Sequence, residues 1–301
     1  MAYAKINNVT NANMAKVNNS AKAALGKIAS IDAPVASYGG ADAPVTSGLV
    51  GYWKGDYGVT TDTSAGSTTV SEWTNIASDA GGESSQTWNL SQGTKAVQPV
   101  YDGSAYTASF DGTDYLGGLS GKMPFDADWS MVLIADASSR NGFAVFAAGG
   151  SVGTYIRFHN YNFIVGPRMN SNNIQWGFSG SGVSGDTDIF AGDYNVLGVT
   201  FDASQAQTNY DNYGYIANHL LKYAGSDCDH GNCVGPNGSD NYSVPRSGVP
   251  FLNIGSYTGG TNGAQFLCRE VMVFNKILNQ TEVTAIYDYA DSIVTLNEFS
   301  F

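Results

Sequence analysis

The stretch Tyr155-Ile156-Arg157-Phe158-His159 alternates with a period of two: Tyr155, Arg157 and His159 fall on one face, Ile156 and Phe158 on the other. That is the pattern of a half-buried strand. It begins a run over 155–165, and similar runs lie at 48–54, 108–116, 130–137 and 143–148 before it. Others follow at 174–178, 194–202, 213–221, 251–257 and 265–275. Clusters of turn residues separate them. Strands at such short intervals predict an all-β fold, a two-sheet antiparallel jelly-roll sandwich in which each sheet buries one face in a shared core.

One short C-terminal helix completes the pattern. Asn279 followed by Glu282 has the spacing of a capping box, in which each side chain satisfies an orphan backbone N–H. Val283, Ile286, Tyr287 and Ala290 then share a face, and Ile293 continues the stripe.

Composition supports a packed body. Of 301 residues, 43% are hydrophobic and 12% aromatic, enough apolar side chain to exclude wholesale disorder. Fourteen basic residues against 26 acidic ones give a net charge of -12, which argues against nucleic acid as a partner because phosphate binding needs a basic surface. No run of about 18 apolar residues is present, so no membrane insertion is expected. Residues 1–31 lack the apolar core of about 7–15 residues that an export signal carries. Three cysteines, an odd count, exclude a disulfide framework.

The charge is unevenly placed. Lys5, Lys16, Lys22 and Lys27 all precede Asp32, the first acid, so a basic segment leads into an acidic body. Within that segment Ala4-Lys5-Ile6-Asn7-Asn8 returns as Ala15-Lys16-Val17-Asn18-Asn19, and Gly26-Lys27-Ile28 is a third, shorter copy. An 11-residue period corresponds to about 3.67 residues per helical turn. Asn competes for backbone hydrogen bonds and opposes an isolated helix. The expectation is an extended or partly helical assembly arm over 1–31. It would order against partner subunits through Ile6, Val17 and Ile28, with Lys5, Lys16 and Lys27 beside them. Residues 32–47, with Pro34, Pro44 and Gly39-Gly40, read as a linker, and 48–301 as the sandwich.

Five segments in order resemble a concanavalin A-like lectin/glucanase domain of the laminin-G-like type. Gly48-Leu49-Val50-Gly51-Tyr52-Trp53 resembles its opening strand, and Phe110-Asp111-Gly112-Thr113-Asp114-Tyr115-Leu116 its FDG-x-D-Y turn. Val199-Thr200-Phe201-Asp202 with Tyr215-Ile216-Ala217-Asn218-His219-Leu220 resembles its hairpin, although His219 stands where that turn usually has Gly. Asn253-Ile254-Gly255-Ser256 resembles its IGS strand. Glu270-Val271-Met272-Val273-Phe274-Asn275-Lys276-Ile277-Leu278, with Glu282-Val283, resembles its closing strand and helix. The region 225–248 reads as an insertion. The arm resembles N-termini of tailed-bacteriophage structural proteins.

Together these resemblances imply a virion structural protein: a fibre, spike or decoration subunit, made without a signal peptide in a host cytoplasm. Its partners would be other virion proteins through the arm and host-surface glycans through the body, and its state a homotrimer. A decoration protein without a glycan ligand and a polysaccharide depolymerase are the alternatives.

Sugar sites combine an aromatic platform with polar groups at a loop rim, which points to Trp176, Tyr210, Tyr213, Tyr242 and Tyr257. Catalysis is not expected. The five Glu, at 72, 83, 270, 282 and 298, include no two that stand four apart as in the glucanase strand. Asp126 and Asp128 alternate but follow Pro124 in a turn-like stretch. His159, His219 and His230 have no serine elbow beside them. No cofactor is required. A structural calcium has candidate ligands in Asp111 and Asp114, where family relatives hold one at the rim, and in Asp227 and Asp229 of the insertion. Asp111-Gly112 also reads as a plain turn. Around Asp227, three readings stand: zinc on Cys228, His230 and Cys233 with Cys268, calcium, or a surface loop closed by a Cys228–Cys233 disulfide. Cys268, in an alternating apolar strand, reads as a buried small hydrophobe.

Overall fold

The computed structural model describes residues 40–83, 88–118, 128–137, 141–149, 152–159, 162–169, 172–173, 176–179, 193–201, 212–216, 219–223, 233–234, 251–256 and 262–296. The chain divides into two compact units, residues 1–38 and 39–301. The repeat, with Lys5, Ile6, Lys16, Val17, Lys27 and Ile28, lies outside the described residues.

The second unit is antiparallel β with one helix. Its strands are β1 (Leu49–Lys54), β2 (Val59–Asp62), β3 (Thr69–Trp73), β4 (Leu90–Ser91), β5 (Val100–Asp102), β6 (Thr107–Asp111) and β7 (Leu116–Gly117). Then come β8 (Trp129–Ala137), β9 (Asn141–Gly149), β10 (Val152–His159), β11 (Asn162–Met169), β12 (Asn172–Asn173) and β13 (Trp176–Ser179). The series closes with β14 (Asn195–Phe201), β15 (Asn212–Ile216), β16 (His219–Tyr223), β17 (Cys233–Val234), β18 (Phe251–Ile254), β19 (Gln265–Phe274) and the helix α1 (Gln280–Ile293).

Two flanks make up the sheet. In one, β19 takes β8 on one side and both β1 and β6 on the other, and β14, β15 and β16 continue outward from β8. In the other, the order runs β4, β7, β18, β9, β10, β11, β13, β17. Strand β3 joins them, bonding to β4 on the second flank and to β5, which pairs with β6 of the first. The sheet is therefore continuous and curls, because successive strands twist.

Three runs that read as single strands are divided. The run 155–165 is the hairpin β10–β11, with His159 opposite Asn162, and 213–221 is β15–β16, with Ile216 opposite His219. Asn160-Tyr161 and Ala217-Asn218 carry no Gly or Pro to mark a reversal. The run 108–116 breaks into β6 and β7, which pair with different neighbours.

All six residues of β1 are buried, so this strand is covered on both faces. Trp53, Trp73, Trp129 and Phe110 are the largest fully buried apolar side chains, and Phe110 stacks on Phe266 with ring centres 4.7 Å apart. Each such burial stabilises by about 1.5–3 kcal/mol.

Helix α1 begins with the capping box its sequence predicts: Asn279 Oδ1 accepts from Glu282 N–H and Glu282 Oε2 from Asn279 N–H, both at 3.1 Å. Its buried face is Val283, Ile286, Tyr289 and Ala290, so Tyr289 and not Tyr287 turns inward. The reason is polar: the Tyr289 hydroxyl has a buried acceptor. Just before the helix, Leu278 N–H lies 3.1 Å from Ser130 Oγ on β8 and 3.3 Å from Thr200 Oγ1 on β14. No helix among the described residues is long and apolar enough to cross a membrane.

Candidate functional site

The first candidate is a groove of about 840 Å³ built on β2, β3 and β4. Thr60 to Ser64 line one side; Ser71, Glu72, Ser91, Gln92, Gly93 and Gln98 line the rest. A shift of register between Thr60 and Thr61 breaks the even alternation of β2 against β3: Thr60 faces Glu72, whereas Thr61 faces Val70. One extra residue on β3 re-aims its side chains, as a bulge does. Trp73 is thereby buried while Ser71 and Glu72 stay at the surface.

Hydrogen bonds fix the far wall. Thr69 Oγ1 donates to Gln98 Oε1 at 2.6 Å, Gln98 Nε2 donates to Gln92 O at 2.6 Å, and Gln92 Oε1 accepts from Thr94 N–H at 2.9 Å. Asn89 Nδ2 donates to Glu72 Oε1 at 3.1 Å. Lys95 spans the rim, donating to Asp62 O and Ser67 O, each at 2.8 Å, and reaching Asp62 Oδ1 at 3.2 Å. Hydrogen bonds from Ser64, followed by Lys95, hold the Asp62 carboxyl below the usual carboxylate range, so it is ionised at neutral pH. The hydroxyls of Thr61, Thr63 and Ser91 make no hydrogen bond among the described residues. Such a surface offers acceptors, donors and a fixed negative charge to a polar ligand.

A second polar centre lies in the core. Glu270 is fully buried on β19; its Oε2 accepts from Tyr52 Oη at 2.7 Å and its Oε1 from Tyr289 Oη at 2.5 Å. Burial pushes the Glu270 carboxyl up to about 7, against the pull of the two tyrosine hydroxyls, Lys54 and Arg269. Lys54 lies opposite Glu270 in the ladder, is itself fully buried, and sits 3.3 Å from Asp56. The register shift between Cys268 and Glu270 leaves Arg269 as the extra residue of a bulge. Cys268 is free and buried, and burial raises its thiol well above the ordinary range. Glu270 and Lys54 are sealed from solvent and tie β1, β19 and α1 together.

Two of the aromatic residues singled out from sequence lie within described strands. Trp176 opens β13 and Tyr213 lies on β15, strands of different flanks. Tyr210, Tyr242 and Tyr257 lie outside the described residues, as do Asp126, Asp227, Cys228, Asp229 and His230. Asp111 Oδ1 closes a turn by accepting from Thr113 N–H at 2.7 Å, Thr113 Oγ1 at 2.8 Å and Asp114 N–H at 3.2 Å, and Asp114 Oδ2 accepts from Asp111 N–H at 3.2 Å. Burial, then repulsion from Asp111, raises the Asp114 carboxyl to about 6. These hydrogen bonds are those of the turn that Asp111-Gly112 also reads as. Among the described residues no three His, Cys, Asp or Glu converge as metal ligands.

Val59-Thr60-Thr61-Asp62 and Thr69-Val70-Ser71-Glu72-Trp73, which form the groove, lie outside the runs that the alternation of apolar residues marks as strands. The β-branched content of Val59–Asp62 and Thr69–Trp73, three Thr and two Val, favours strands.

No family model and no curated protein matches this chain. Solved structures are similar in backbone. A Trypanosoma rangeli sialidase in complex with sialic acid is 12% identical over 82% of this chain and 34% of its own, with a TM-score of 0.45. A GH54 α-L-arabinofuranosidase mutant soaked with 4-nitrophenyl α-L-arabinofuranoside is 10% identical over 77% and 52%, with a TM-score of 0.48. The receptor-binding domain of botulinum neurotoxin C/D mosaic serotype is 10% identical over 80% and 51%, also at 0.48. This chain thus spans between a third and about half of the length of these proteins. The expectation of a non-enzyme is corrected: glycosidases stand among the structures to which this chain is similar.

Proposed function

We propose that residues 40–296 form a glycan-binding module whose ligand lies in the groove of β2, β3 and β4. The observation that carries this is the lining: hydroxyls, side-chain amides and two carboxylates around about 840 Å³. Sugar hydroxyls donate and accept at once, and this surface answers both needs. Binding in an open, wet groove is weak per site, and several copies on one particle compensate through multivalency. The reading needs no cofactor. A glycan array probed with the whole chain tests it: Ser91→Arg, at an exposed position, fills the groove and is expected to abolish the hits. Retained hits in that variant overturn the assignment.

A second reading, glycoside cleavage, is favoured by Asp62 and Glu72 together in the groove. Asp62, held ionised, suits a base or nucleophile, with the second carboxyl on the neighbouring strand β3. Release of reducing ends from a polysaccharide hit, lost in Glu72→Gln, would establish it.

We read the fold more finely as the concanavalin A-like jelly-roll sandwich, on the five sequence motifs. The 11-residue repeat supports an anchoring arm over 1–31 that places the module in a virion as a homotrimer beside other virion proteins. Removal of 1–31 is expected to leave a cooperatively melting body that no longer incorporates into particles.

A further inference from the structure

Tyr57 and Tyr106 are the large aromatic side chains left exposed among the described residues, at 40% and 44%. Tyr106 is also conformationally unusual. Its φ is +53°, a left-handed backbone shared by only one other non-glycine residue among those described, Asn262. Asn tolerates that region; a Tyr there is strained, and strain persists where surrounding structure enforces it.

The enforcement is specific. Arg269 Nη1 donates to Ala105 O at 2.6 Å and to Tyr106 O at 3.1 Å. Gly55 packs so tightly on this turn that a Cβ there would lie 1.9 Å from Tyr106 O, and Tyr101 Oη donates to Gly55 O at 2.7 Å. The Arg269 guanidinium lies 5.1 Å from the centre of the Tyr106 ring, backing one face. Arg269 is itself buried and lies 3.8 Å from Asp56. A buried arginine on a bulge thus fixes an exposed ring before any ligand arrives, which lowers the ordering cost of binding.

We propose that Tyr106, held by Arg269, is a second sugar-contact site on which the C–H face of a neutral pyranose stacks, with Asp56, which shares the Arg269 guanidinium, for the hydroxyl rim. A protein partner fits less well, since a stable interface buries more than about 1,000 Å² and two half-exposed rings offer far less. The proposal rests on the reading of the chain as glycan-binding, but Tyr57, Tyr106, Asp56 and Arg269 do not line the groove.

Saturation-transfer NMR on the full chain, with methyl pyranosides of glucose, galactose, mannose and N-acetylglucosamine at millimolar concentration, tests it. The wild type is expected to transfer to ring C–H protons, and Tyr106→Gly to lose about tenfold in affinity. Glycine relieves the positive φ, so Tyr106→Gly is expected to melt no lower than the wild type, a combination that a structural tyrosine would not give. Tyr106→Phe keeps the ring and should bind. An affinity unchanged in Tyr106→Gly, or lowered equally in Tyr106→Phe, overturns the platform. Transfer lost in Ser91→Arg but kept in Tyr106→Gly overturns the platform and leaves the groove standing. No transfer in the wild type overturns the platform alone if oligosaccharides still bind on the array.

Discussion

The Tyr289 hydroxyl lies 2.5 Å from Glu270 Oε1, joining the last helix to the central strand through a carboxyl that no solvent reaches. Tyr52 supplies the second donor to the same carboxyl, and the two hydroxyls lie 3.2 Å apart. A buried acid held by two phenols responds to pH and to loss of either partner.

Stability is expected to fall as pH rises from about 4.5 to about 7. Below that window Glu270 is protonated whether the chain is folded or not. As pH rises the unfolded chain ionises first, while the folded carboxyl keeps its proton up to about 7. The folded state therefore loses on the order of 3 kcal/mol across the window. Asp114, raised to about 6, acts in the same sense. Urea unfolding of the wild type and Glu270→Gln at several pH values checks this: the variant's slope should be flatter.

Tyr289→Phe removes one donor and leaves a buried carboxyl oxygen unpaired. A cost of about 1.5–3 kcal/mol is expected, greater at pH 8, where Glu270 is ionised, than at pH 5. Thermal melts at the two pH values measure it. Equal costs would mean that the carboxyl does not change charge between them.

Gly55→Ala sets a methyl group 1.9 Å from Tyr106 O and 2.9 Å from Arg269 O, both backbone atoms. The loss should exceed about 2 kcal/mol. Gly66→Ala, with φ +83° but nothing within 4 Å, should cost about 1 kcal/mol or less. Chemical denaturation of both variants gives the ranking.

Asn279→Ala removes one half of the capping box and is expected to cost about 1 kcal/mol. Asn279→Gly should cost less, because glycine at this position leaves the helix end open to water. Comparison of the two midpoints in denaturant checks this.

Much of the fold was legible in the residues. The opening strand at Leu49–Lys54, the closing strand at Gln265–Phe274 and the capped helix all follow from apolar runs and from the Asn279–Glu282 spacing. The candidate surfaces were not. β2 and β3 carry Thr, Ser, Asp and Glu in place of an alternating apolar face, because that face is the groove. Tyr106 follows Asp-Gly-Ser-Ala, a plain turn signal, and nothing in its neighbours reveals that Arg269, 163 positions later, holds it. That Lys54 and Glu270 are buried is not legible in the sequence, because burial of a charge depends on a partner that local patterning does not name.

Strand β19 carries a consequence for synthesis. It takes hydrogen bonds from β1, β6 and β8, and its Glu270 meets Tyr52 across 218 positions of sequence. On the ribosome, β1 emerges with its apolar residues long before the strand that covers its edge exists. Contacts so distant along the chain form slowly, and an exposed edge invites association in the interval. The body therefore cannot mature piecemeal as it is translated; its first strand waits for nearly its last, and a chain stopped before Gln265 has no centre on which to close.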